Sequence, residues 1–82
     1  MTVALMWEAR AVEGRGAELL EWAREQWLDG EPLRREYLVA PQDRVLVITW
    51  WDEPYDAELP ELGDPGPELV RRDVHRWRFE SA

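Results

Sequence analysis

Residues 44–51, RVLVITWW, place seven residues in a row after Arg44 of which only Thr49 is polar, and no other stretch limits the fold so tightly. β-Branched and aromatic residues dominate it, so it reads as a strand. Successive side chains of a strand point to opposite faces, which sends Trp50 and Trp51 to opposite sides of a sheet. Apolar side chains on both faces require cover on both faces. A chain of 82 residues must therefore bury one central strand from two sides.

The remaining elements follow from periodicity. Residues 2–12, TVALMWEARAV, read as a first strand with Val3, Leu5, Trp7, Ala9 and Ala11 on one face and Ala4, Met6, Glu8, Arg10 and Val12 on the other. In EGRGAELLEWAREQWLDGEP, Leu19, Leu20, Ala23 and Trp27 recur at helical spacing among Glu18, Glu21, Arg24 and Glu25. This predicts an amphipathic helix that starts near Gly16 and stops at Gly30 and Pro32. Residues 33–41, LRREYLVAP, alternate as a half-exposed second strand, PQDR makes a turn, and RVLVITWW is the third strand. Residues 68–80 alternate again, with Asp73, His75, Trp77 and Phe79 opposite Val70, Arg72, Val74, Arg76 and Arg78, and predict a fourth strand.

Residues 52–68 hold seven acids, no base and four prolines. At most one helical turn, near Tyr55 to Leu59, fits before Pro60. The segment reads as an acidic crossover or a lid, and its acids lack the spacing of a calcium-binding EF-hand loop. The order strand, helix, strand, strand, degraded helix, strand is the split pattern of ferredoxin-like folds. The expected architecture is one α+β domain over residues 1–82, with a four-stranded antiparallel sheet and a helix layer on one face only.

Such a small domain buries only about 60% of its unfolded surface, so small chains usually carry a staple. There is no Cys, which excludes disulfides and thiolate metal sites, and a single His makes a structural zinc a poor fit. Oligomerisation is the staple that remains. The net charge of −8 repels phosphate backbones and anionic lipid heads, so neither nucleic acid nor a membrane is an expected partner. No apolar run reaches the ~20 residues of a membrane span, and the start lacks a basic region and a cleavage site, so a cytoplasmic protein is expected. All ten basic residues are Arg, scattered along the chain in the manner of a coding bias.

Two stretches, ALMWEARAVEGRGAELLEW and VLVITWWDEP, carry a resemblance to the dimeric α/β-barrel superfamily over nearly the whole chain. Within it the sequence is similar to the small antibiotic biosynthesis monooxygenase-like domains. The resemblance implies a homodimer whose two sheets pack face to face, with one of Trp50 and Trp51 beneath the helix layer and the other in the interface. In the haem-degrading branch a His on the second helix binds iron. Residues 52–68 contain no His, so no haem or other cofactor is expected.

EGRGAEL follows a strand and opens a helix as a dinucleotide fingerprint does, but Leu19 stands at the third glycine position and the chain is too short for a doubly wound sheet. His75, the sole imidazole, is the natural candidate for acid–base chemistry, or else a partly buried sheet residue. The six tryptophans supply either an aromatic pocket or the packing of a chain with one Phe. Nucleophilic triads are unsupported, since the one Ser is Ser81.

Two function classes result. A non-catalytic dimeric module that binds a partner or ligand predicts tryptophans packed solid. A cofactor-independent monooxygenase or cyclase-like enzyme predicts a cavity of about 300 Å³ or more under the helix layer, fit for a small aromatic compound. Its candidate catalytic residue is His75, with Trp7, Tyr37, Trp51 and Trp77 lining the ligand.

Overall fold

The computed structural model describes all 82 residues, Met1–Ala82. Its elements are β1 (Thr2–Arg10), α1 (Gly16–Glu25), β2 (Arg34–Ala40), β3 (Arg44–Asp52) and β4 (His75–Glu80). The strands form one antiparallel sheet in the order β2-β3-β1-β4, an α+β arrangement compatible with a ferredoxin-like fold. The apolar run lies in β3, an inner strand as its composition requires, hydrogen-bonded to β1 and β2.

The odd-numbered residues of β1 and β3 build the core. Val3 pairs with Trp51, Leu5 with Thr49, Trp7 with Val47 and Ala9 with Val45, and all eight are buried. Leu19 and Ala23 of α1 cover this face. Where the second helix of a split βαβ pattern would lie, residues 53–74 form an irregular strap closed over the β1–β4 side of the sheet. Leu62 and Leu69 plug it into the core, and neither was picked out by periodicity.

Arginines fasten the strap. Arg78 donates to the carbonyls of Tyr55 at 2.7 Å and Ala57 at 2.9 Å, and Arg76 donates to that of Leu62 at 2.9 Å. Trp7 adds an indole bond to the Gly63 carbonyl at 3.0 Å. A strap rich in proline leaves carbonyls without N–H partners, and guanidinium forks supply the missing donors.

Three boundaries differ from the periodic reading. The helix ends at Glu25 rather than running through Trp27, because Gln26 is extended and Arg35 takes the last carbonyls, Ala23 at 3.0 Å and Gln26 at 3.1 Å. The extended step turns Leu28 into the core and leaves Trp27 81% exposed. The fourth strand starts at His75 rather than residue 68, since the chain turns at Gly66, whose carbonyl accepts from Leu69 N at 2.9 Å, and the backbone of residues 68–74 meets the end of the first strand only briefly, at the Ala11–Val70 bridge and the Arg71 N bond to the Arg10 carbonyl at 3.1 Å. The first strand ends at Arg10, where Ala11 N bonds to the Asp43 carbonyl at 2.8 Å.

Asp43 is the joint of this corner. It and Gln42 adopt φ of 60° and 68°, the left-handed region that Asp tolerates better than most residues. Its carboxylate accepts from Gly14 N at 2.9 Å and Gly16 N at 3.2 Å, so the β2–β3 turn caps the helix in place of a side chain at Arg15. Gly16 is required here: a Cβ would stand 2.8 Å from Asp43 Oδ1 and 3.1 Å from Asp43 Cα.

Candidate functional site

The residues singled out in the sequence lie on both faces of the sheet. Trp7, Trp51 and Tyr37 are on the helix face, whereas His75 and Trp77 are on the open one, so the structure does not bring the five together. Trp7 stacks on Trp22 at 5.8 Å. Trp51 is buried near Gly30 and donates to Thr49 Oγ1 at 2.9 Å. Tyr37 lies between the guanidinium groups of Arg24 and Arg35, at 5.7 and 5.3 Å. The gap beside Trp7, bounded by Leu5, Val47 and Leu62, holds only about 10 Å³. A drug-sized ligand needs roughly 300 Å³ or more.

The strand-to-helix turn that invites comparison with a phosphate loop holds an anion already. The Asp43 carboxylate occupies the N–H groups of Gly14 and Gly16. Farther along that first turn, Arg15 bonds Glu18 at 2.6 Å and holds its carboxyl below the ordinary glutamate range.

The open face, which no helix covers, exposes apolar side chains of three strands. Three rows cross it in the order β2, β3, β1, β4: Arg34, Trp50, Ala4, Phe79; then Glu36, Ile48, Met6, Trp77; then Leu38, Leu46, Glu8, His75. Trp50 donates its indole N–H to Glu36 at 2.8 Å. Trp77 is 44%, Leu38 45% and Phe79 55% exposed. An antiparallel sheet with one wet face usually alternates apolar with polar residues, and this face does not.

At one corner the apolar rows give way to charge. Glu8, which periodicity did not single out for a role, accepts from Arg72 at 2.8 Å on each carboxylate oxygen. Arg44 Nε and His75 Nδ1 each stand 3.7 Å from it, and His75 meets Trp77 edge to face at 5.7 Å. Glu8 was visible in the sequence as the one acid in the first strand; its partner Arg72 comes from the strap, which strand pairing could not reveal. The corner can orient an imidazole against a carboxylate, although Glu8 is already committed to Arg72. No group of three or more Asp, Glu and His side chains converges as metal ligands would, and no helix is long and apolar enough to cross a membrane.

Comparisons with protein-family models, with curated proteins and with solved structures return no match to this chain.

Proposed function

We propose that this protein is a homodimeric α/β-barrel module, similar in plan to the antibiotic biosynthesis monooxygenase-like domains, that binds a partner or a small ligand without transforming it. The observation that carries the reading is the contrast between the two faces: beneath the helix the gap beside Trp7 is about 10 Å³ and the hollow of about 370 Å³ at the Trp51 edge is rimmed by the acids Asp29, Glu31, Asp52, Glu53 and Glu58, while the open face leaves Trp77, Phe79 and Leu38 to water. A second copy laid on the open face would bury those side chains and the outer half of β3, which accounts for an apolar run with side chains on both faces. Nothing in the acid-rich composition favours a nucleic-acid or membrane partner, and a cytoplasmic setting suits a chain without cysteine.

Trp77→Asp tests the assembly. Trp77 is half exposed in the single chain, so a charge there spares the core and disrupts only the paired faces. Sedimentation velocity should give a dimer for the parent chain and a monomer for the variant, with unchanged circular dichroism. A dimeric Trp77→Asp would move the contact to another surface.

The enzymatic alternative, a cofactor-independent monooxygenase or cyclase-like reaction on a small aromatic compound, draws its support from His75 beside Glu8 and Trp77. It requires turnover that His75→Ala abolishes without altering the fold.

A further inference from the structure

The Glu8 corner carries more positive charge than it can neutralise, in a chain whose net charge is −8. Arg10 and Arg44 face each other directly as the last pair of the β1–β3 register. Like charges set opposite one another weaken a sheet. The nearby carboxylate relieves them only in part: Glu8 accepts both of its hydrogen bonds from Arg72, Arg44 Nε forms an ion pair with it at 3.7 Å without a hydrogen bond, and Arg10 donates only to the Gln42 carbonyl, at 3.2 Å. A separation of 3.7 Å is beyond a hydrogen bond, so the Arg44 fork is free to take one. Arg44 lines an open groove of about 250 Å³ together with Leu38, Ala40 and Leu46, and the Arg72-bound Glu8 stands at its side.

We propose that this corner binds a small organic acid with an apolar body, the carboxylate held by Arg44, with the charge of Arg10 on the paired strand behind it, and the body laid against Leu38 and Leu46. The planar guanidinium matches a carboxylate with two parallel bonds, which an ammonium cannot do. A singly charged ligand fits better than a phosphate ester, because a second charge would have to be stripped of water against apolar walls and close to Glu8. The inference rests on the reading of the open face as a binding surface and deepens it by naming the ligand class. A second copy covering that face would close over the groove and strengthen the carboxylate contact by excluding water.

The test uses 2-naphthoate as probe and the uncharged 2-naphthalenemethanol as control, by isothermal titration calorimetry on the parent chain, Arg44→Gln and Leu38→Asp. The site predicts saturable naphthoate binding, with the alcohol at least about tenfold weaker, as loss of a charge-assisted bond implies. Arg44→Gln should lower naphthoate affinity by a similar factor while leaving the alcohol unchanged, and Leu38→Asp should weaken both. No saturation up to about millimolar probe, equal affinity for acid and alcohol, or an unaffected Arg44→Gln with parental circular dichroism would overturn the proposal. Sedimentation of the same samples separates the two readings: a monomer that binds naphthoate keeps the site and removes the dimer, and a dimer that ignores it does the reverse.

Discussion

Asp43 illustrates how one side chain closes a small fold. It sits in a left-handed turn, its carbonyl ends β1, and its carboxylate caps the helix from a different element. Substitution by Ala should cost about 1–2 kcal/mol, the upper part of the range for losing a helix cap, because two N–H groups lose their acceptor at once. Asp43→Asn retains one acceptor oxygen and tolerates the same backbone, so its loss should be smaller. Urea unfolding of the three chains checks the order; an Asp43→Ala chain as stable as the parent would show that water replaces the carboxylate. The sequence holds PQDR as a turn, but that Asp43 reaches 27 residues back to Gly16 is a tertiary contact outside any local pattern.

At the scale of elements, the faces of β1 and β3 were legible because alternation is a property of the strand itself. Val3, Leu5, Trp7 and Ala9 are buried together, as their spacing says they should be. The ends of elements were less legible. Helical spacing continues from Ala23 to Trp27, yet Arg35, which belongs to a different strand, decides where the helix stops. The prolines of residues 52–68 marked a broken connection, which the structure shows as an irregular strap without a helix; of its anchors, Leu62 looked like an isolated apolar residue in that acidic segment and Leu69 fell in the fourth strand expected over residues 68–80.

The arginines, scattered along the sequence, gain a structural use: Arg35, Arg76 and Arg78 each donate to backbone carbonyls that lie outside sheet pairing. Arg78→Met keeps the side-chain length but removes two bonds, and should loosen residues 55–57 at a cost of about 1–2 kcal/mol. Hydrogen exchange should accelerate in the strap and stay parental in β1 and β3. Uniform acceleration would mean that strap and sheet unfold as one unit.

For the whole molecule, the candidate site was half legible. His75 and Trp77 were paired correctly on one face by alternation, but Trp7, Tyr37 and Trp51 belong to the opposite face, and aromatic composition alone cannot say which face a residue serves. Two-sided burial of β3 was the stronger deduction. The folded single chain satisfies it on one side, with Val45, Val47 and Trp51 buried, and leaves Leu46, Ile48 and Trp50 only part-covered. The unfinished side is the reason to expect a second copy. Native mass spectrometry of the freshly purified protein tests this most directly, since one spectrum reports both assembly and any retained small molecule. The account predicts a dimer. A monomer across micromolar concentrations would contradict it and leave the apolar rows of the open face without a purpose.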